Sequence, residues 1–395
     1  MQYEKGDDMK FSKRMEQLHT DVFTRLDEAK QEAISKGKEV YDFTIGSPNI
    51  APSKEILDAL IEAAHDPKSY MYSLHDTPQL KNTVKQWYET RYHVCLDADH
   101  EILALQGSQE GLAHIALTIC DEGDIVLIPA PSYPVFANGP KIAGAKLYEM
   151  PMREEHDYLI QFQDIPDDIA RKAKMMIVSY PNNPTGAIAS DAFYEELIRF
   201  AKQYDIIVLH DTAYSELVFD GEEGKSFLSY EGAMDIGIEF NSFSKTYGMA
   251  GARIGMCLGN REIVAMLRKL KSNIDYGMFL PIQKAAIAAL TQDQHIVKET
   301  RDTYQRRRDV LIEGFKKAGW NVQSPKSTMF IWAKIPSGKT SEEFAIDLLQ
   351  KTGILVTPGS SFGNEGEGYV RIALVQSDDV IEKALHVLQQ SDMFQ

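Results

Sequence analysis

Cysteine is scarce in this sequence: three residues in 395, at Cys95, Cys120 and Cys257, far apart and with no CxxC spacing. That excludes a disulfide framework and the usual structural zinc site, and it fits a reducing, cytoplasmic setting. Cys120 and Cys257 lie in apolar runs, where a free thiol behaves as a small hydrophobe. No apolar run approaches the roughly 20 residues of a membrane-spanning helix. The first fourteen residues are polar and mixed in charge, without the apolar centre of a secretion signal. Positive charge is short as well. Lys and Arg total 42 against 58 Asp and Glu, a net charge of −16, which argues against a nucleic-acid groove. Internal repeats and low-complexity segments are missing. No metal-ligand cluster is apparent, and neither a membrane nor a nucleic acid is expected as a partner. What is present is ordinary for a soluble globular protein: 44% apolar and 25% charged residues, in a chain long enough for two domains.

Residues 1–40 read as a polar arm and a helix over 15–36, followed by a short strand near 41–45 and the turn Gly46-Ser47-Pro48-Asn49. Ser53 is placed to cap a helix ending near His65, and a further helix is expected over 78–92. From Glu101 onward the pattern becomes alternating strand and helix. Strands are expected at 102–105, 125–128, 146–150, 175–180, 206–211, 236–240 and 254–258, with helices over 107–120, after Pro134 and over 190–204. Continuous apolar strands alternating with helices imply an α/β protein with a mostly parallel sheet covered on both faces. Ligands of such sheets bind beyond the carboxyl ends of the strands, where this sequence places its polar clusters. Helical patterns dominate 261–319. Short strands at 329–334, 354–357 and 369–374 then suggest a smaller α+β domain. We expect a large domain over 47–285 and a small one formed by 1–46 and 286–395.

The stretch from Ser242 to Arg253 concentrates the chemistry. It holds Lys245 between hydroxyl residues, then a glycine-loosened backbone, then Arg253 eight residues after the lysine. Hydroxyls and a guanidinium donate to phosphate oxygens, and a lysine beside them can form a Schiff base with an aldehyde. An aldehyde and a phosphate on one small molecule point to pyridoxal phosphate. Taken alone, the stretch reads equally well as a surface lysine in a Ser/Gly loop.

Other residues have a bland reading beside the functional one. Asp211 ends a strand and could hold a pyridinium nitrogen protonated, or merely cap a helix. Tyr214, three residues on, could reach a phenolic oxygen, or simply pack. His210 points away from Asp211 and reads as structural. Asn183 sits in a proline-bracketed turn. Ser108 and Gln109 open a helix, where backbone N–H groups favour a phosphate. Tyr133 could stack on a ring. Arg371 could grip a carboxylate with two parallel hydrogen bonds, against the plain alternative of a surface ion pair.

Taken together, Asn183-Pro184-Thr185-Gly186, Asp211-x-x-Tyr214, Ser242-x-Ser244-Lys245 with Arg253, and Arg371 resemble the class I/II aminotransferases of the pyridoxal-phosphate fold type I. The resemblance runs from about Tyr41 to Leu374. Tyr276-Gly277-Met278-Phe279-Leu280-Pro281-Ile282-Gln283 is most similar to the branch holding alanine-, methionine- and LL-diaminopimelate-type aminotransferases. The resemblance implies that Lys245 is the Schiff-base lysine and the proton shuttle. By the same likeness Asp211 pairs with the pyridine nitrogen, and Asn183 and Tyr214 bond the ring oxygen. Tyr133 stacks on the ring, while Ser108, Gln109, Ser242, Ser244 and Arg253 bind the phosphate. Arg371 takes the substrate carboxylate, with Gly46 and Asn183 assisting. It also implies a homodimer in which Tyr72 reaches the partner's phosphate. The loop from Ser73 to Pro78 is one residue short of the family pattern and lacks its glycine, which leaves Tyr70 as the alternative.

The expected activity is a ping-pong transfer of an amino group to a 2-oxo acid. The expected donor is a small neutral or sulfur-bearing amino acid, with glutamate and 2-oxoglutarate as the other pair. A diaminopimelate-type substrate is the alternative. A C–S lyase or a γ-eliminating enzyme would share most of these motifs. A transcriptional sensor on the same scaffold would need an attached DNA-binding module, for which the sequence before Tyr41 leaves no room.

Overall fold

The computed structural model describes residues 12–18 and 21–394; the polar arm expected at the start of the chain falls largely outside them. Among the described residues, seven strands form one sheet: β2 (Ile102–Leu105), β3 (Ile125–Ala130), β4 (Lys146–Pro151), β5 (Ala173–Ser179), β6 (Ile207–Asp211), β7 (Gly237–Ser242) and β8 (Gly255–Gly259), after a short β1 (Tyr41–Asp42) that lies elsewhere. Their order across the sheet is β2-β8-β7-β6-β5-β3-β4. Only β8 runs against its two neighbours; the remaining pairs are parallel. The central strands are buried along almost their whole length, as a sheet covered on both faces requires.

Both faces carry apolar cores. Val208, Met176, Val178 and Ile254 pack on one side with Tyr88, Tyr194 and Phe227. Leu209, Ile177, Ile238 and Phe240 pack on the other with Leu105 and Phe136. A third core gathers Leu26 and Phe43 with Leu311, Leu348, Ile372 and Leu385, and it includes Tyr214 and Leu217 from the segment after β6. It surrounds the antiparallel sheet of β9 (Phe330–Lys334), β11 (Thr357–Pro358) and β12 (Tyr369–Ala373). The two-residue strand β10 (Ile354–Leu355) pairs with β1, so the N-terminal segment is stitched to the C-terminal one.

Helix boundaries follow local chemistry where the chemistry is strong. The helix Pro78–Tyr92 starts at Thr77, whose hydroxyl accepts from the Leu80 N–H, and stops at His93, whose backbone is left-handed. Lys54–His65 starts at Ser53, and Asp191–Tyr204 at Ser190, as their hydroxyls predict. Three expectations need correction. The helix expected over 15–36 is a 3₁₀ turn, Lys13–Gln17, and a separate helix, Asp21–Ser35. That expected over 107–120 is two short helices, Ser108–His114 and Ala116–Ile119. The strand expected at 354–357 is β10 followed by β11, which pair with different partners because the chain crosses from one sheet to the other at Val356.

Candidate active site

The carboxyl ends of the parallel strands share one edge of the large sheet, and the polar clusters follow them. Ser108 and Gln109 follow β2, Tyr133 follows β3, Asn183 follows β5, Asp211 ends β6, Ser242 ends β7, and Ser244 and Lys245 come directly after it. Because β8 is reversed, Arg253, which precedes it, comes to the same edge. Gly46 and Arg371 arrive from the second region. These residues and Tyr214 line a single cavity of about 350 Å³. Thr44, Leu112, Ala213, Ala250 and Phe330 also line it, and sequence reasoning missed them.

Lys245 lies in the short helix Phe243–Thr246, whose first turn is capped by Ser242 Oγ accepting from the Ser244 N–H at 3.1 Å. Its Nζ donates to the Gly46 carbonyl and stands 5.9 Å from the centre of the Tyr214 ring. Burial, with the Arg371 and Arg253 charges nearby, lowers its pKa to about 8. Asp211 is buried. One oxygen accepts from the Ala213 N–H at 3.2 Å, and among the described residues the other has no hydrogen-bond partner. Burial pushes its carboxyl up to about 6, against the pull of that hydrogen bond and of the His210 and Lys245 charges.

Arg371 is buried without a carboxylate partner among the described residues. Its Nη1 donates to Asn183 Oδ1 and its Nη2 to the Thr44 carbonyl, each at 3.1 Å, while Nε is buried and unpartnered. The guanidinium lies 4.1 Å from the centre of the Phe330 ring and 4.8 Å from that of Phe362. Burial lowers its pKa to about 10. The surface ion pair considered from the sequence is thus ruled out.

Arg253 has left-handed backbone (φ 54°), and its Nη1 donates to the Ala250 carbonyl at 2.9 Å. Its guanidinium lies against Gly107, where an added Cβ would sit 2.4 Å from Nη2. Only glycine there lets the arginine rest on the turn that opens the Ser108 helix. Tyr133 donates to Gln109 Oε1 at 2.8 Å. Burial raises the Tyr214 hydroxyl well above the usual tyrosine range. His210 is fully buried on the opposite face, with Nε2 3.2 Å from the Tyr194 hydroxyl, as its structural reading implied.

Tyr72 does not join this cavity. It is 86% exposed, with its ring 6.0 Å from that of Tyr276. Tyr70 is 66% exposed and donates to the Ala64 carbonyl.

Residues 38–388 match the family model for aminotransferase class I and II. Among curated relatives, an LL-diaminopimelate aminotransferase of Dehalococcoides mccartyi is 44% identical over 378 residues, covering 95% of this chain and 97% of that protein. One of Moorella thermoacetica is 42% identical over 382 residues, covering 96% of this chain and 98% of that protein. Among solved structures, a probable N-succinyldiaminopimelate aminotransferase from Thermus thermophilus superposes with a TM-score of 0.89 at 35% identity, covering 93% of this chain and 99% of that one.

Proposed function

The chain belongs to the class I and II aminotransferases, enzymes that use pyridoxal 5′-phosphate, and within that family we propose that it moves an amino group between LL-diaminopimelate and a 2-oxo acid, with 2-oxoglutarate as acceptor. The observation that carries the substrate is the identity of 42–44% to LL-diaminopimelate aminotransferases over almost the full length of both chains. It favours the diaminopimelate alternative over the small neutral or sulfur-bearing donor expected from the sequence.

The residues present fit the cofactor. A lysine of depressed pKa, a buried half-free carboxylate and a cluster of hydroxyls with an arginine face one cavity. When bound, pyridoxal phosphate supplies an electron sink for the bonds at the donor's Cα. Ser108, Gln109, Ser242, Ser244 and Arg253 would hold its phosphate, Asp211 its ring nitrogen, Asn183 and Tyr214 its ring oxygen, and Tyr133 its ring face.

The chain's own groups then divide the work. Arg371 binds the donor's α-carboxylate. Its buried, unpaired Nε and its platform of Phe330 and Phe362 favour a planar anion over water. Asn183, already bonded to Arg371, fixes the guanidinium plane. Lys245 Nζ, its pKa lowered to about 8, would take up the proton released from the donor Cα and give it back on the cofactor side. Opposite the cofactor's ring nitrogen, Asp211 would stay ionised despite its burial.

The charge inventory fits diaminopimelate as the donor and leaves the second carboxylate of 2-oxoglutarate to neutral groups. Among the described residues, the cations lining the cavity are Lys245, Arg253 and Arg371. With Arg253 on the phosphate, no second arginine awaits a side-chain carboxylate. The far end of diaminopimelate is itself an amino acid, net neutral, and needs none.

We also read the exposed aromatic loops as the surface of a homodimer in the cytoplasm. Tyr70 against Phe279 and Tyr72 against Tyr276 form adjoining ring pairs that a second copy would cover. The test of the substrate is kcat/KM for LL-diaminopimelate, alanine, methionine and glutamate with 2-oxoglutarate or pyruvate as acceptor. The reading requires LL-diaminopimelate to lead by at least about tenfold, and a lead for alanine or methionine would overturn it.

A further inference from the structure

Behind the sheet edge that carries the cavity lies a second buried polar cluster, for which the catalytic reading has no use. Glu239 on β7 is fully buried, directly across from His210 on β6. Three donors converge on its carboxylate: the Tyr88 hydroxyl at 2.7 Å on Oε1, and the Ser226 hydroxyl at 3.0 Å and the Phe227 N–H at 2.8 Å on Oε2. His210 Nδ1 stands 3.6 Å from Oε2. Every hydrogen bond to this carboxylate comes from a donor, so both of its oxygens act as acceptors.

The cluster continues toward the site. The Tyr88 hydroxyl, donating to Glu239, also accepts from Asn241 Nδ2 at 3.0 Å. Asn241 Oδ1 in turn accepts from the Ser242 N–H at 2.7 Å. Ser242 Oγ caps the turn that bears Lys245. One line of hydrogen bonds therefore runs from the core to the lysine turn, through a tyrosine from the distant helix Pro78–Tyr92. Each of its members is at most 9% exposed.

We propose that Glu239 and Tyr88 are positioning residues for the amino-transfer reaction: they orient Asn241, and through it the Ser242–Thr246 turn, so that Lys245 meets the substrate Cα. The proposal rests on Lys245 being the cofactor lysine. A buried asparagine has two donors and an acceptor that can swap ends. With its Nδ2 held by Tyr88, its oxygen is forced toward the Ser242 N–H, and the backbone leading into the lysine turn has one orientation. Glu239, which accepts from each of its three hydrogen-bond partners, fixes the direction of the whole chain.

Tyr88→Phe keeps the ring and its packing and removes the one hydroxyl that joins the two ends. In the holoenzyme, we expect kcat to fall about tenfold with the KM for the amino donor within about twofold, because a small misplacement of a reacting group acts on the chemical step. We also expect the pH midpoint of the bound cofactor's visible absorbance to move. That midpoint reads the surroundings of Lys245 Nζ, which faces Arg371, Arg253, Asp211, the Tyr214 ring and the Gly46 carbonyl.

Unchanged kcat and an unchanged midpoint, with only a lower Tm, would overturn the proposal and leave Tyr88 a packing residue. If Tyr88→Phe does not fold, Glu239→Gln gives the same reading. It keeps the shape but puts a donor among donors, and it must lower kcat and move the midpoint or the proposal fails. Wild-type protein measured alongside separates the two claims. A wild type without amino transfer defeats the proposed function, and a normal wild type with a wild-type-like variant defeats only the positioning role.

Discussion

Two buried polar clusters lie back to back on strands β6 and β7, and they are built oppositely. Asp211, Lys245 and Arg371 face a cavity with hydrogen-bonding capacity to spare. Arg371 Nε has no partner, and burial displaces the three groups to about 6, 8 and 10. Glu239, one strand position from Phe240 and across from His210, has donors on both oxygens. Both clusters cost desolvation; Glu239 recovers it through three hydrogen bonds within the folded chain, although His210 Nδ1 beside it makes none among the described residues. Buried charge left unpaired marks the place where a ligand completes the structure. Buried charge fully paired marks a brace.

The contrast breaks most sharply at Lys245. Lys245→Ala is expected to abolish amino transfer, losing at least about 10⁴-fold, since it removes both the cofactor's anchor and the proton carrier; retained steady-state turnover would contradict the account. For Arg371→Leu, kcat/KM for the amino donor should fall by about 2–5 kcal/mol, or roughly thirty- to several-thousandfold. The same substitution should leave the stability of the cofactor-free protein unchanged or raise it, because it removes a charge with no carboxylate beside it. Glu239→Ala should do the reverse to stability, lowering it by about 3–5 kcal/mol in chemical denaturation by stranding its donors and His210. If both variants destabilise equally, the open and closed clusters are not different in kind.

The pH response sharpens the same point. In the cofactor-free protein, protonation below about pH 8 blocks Lys245 Nζ as a nucleophile, so capture of pyridoxal phosphate should speed up with pH and level off above about 8. A rise continuing toward the ordinary lysine value of 10.5 would show that burial and Arg371 do not act on it. Arg371→Leu should shift that midpoint upward, because a positive neighbour is gone. The smallest effect is expected from Tyr214→Phe, a loss of one hydrogen bond worth about 0.5–1.5 kcal/mol, or up to about tenfold in kcat/KM.

Much of this was legible in the sequence for a local reason. Asp211, Asn183, Ser108 and the Lys245 stretch each follow directly on an apolar strand, so the strand pattern alone carries them to one edge. The helix Pro78–Tyr92 was readable because Thr77 and Pro78 mark its start. Phe330 and Thr44 were not readable as site residues. Their places depend on the packing of β9 against β12 and of the N-terminal segment against Arg371, pairings that join residues 35–43 positions apart in the first case and 327 in the second. The Tyr88–Glu239–Asn241 chain was invisible for the same reason: its members meet only through the packing of the helix Pro78–Tyr92 on β7, 151 and 153 positions apart. Tyr72 was singled out, and it stands exposed outside the cavity of its own chain.

The most direct test is a spectral titration of the purified holoenzyme with LL-diaminopimelate alone, with no oxo acid present. The account predicts that the yellow band of the lysine-bound cofactor is lost to the amino form in a single turnover, and that 2-oxoglutarate restores it. A band that LL-diaminopimelate leaves untouched while alanine or methionine discharges it would contradict the proposed substrate, and a band that no amino acid discharges would contradict the transfer itself.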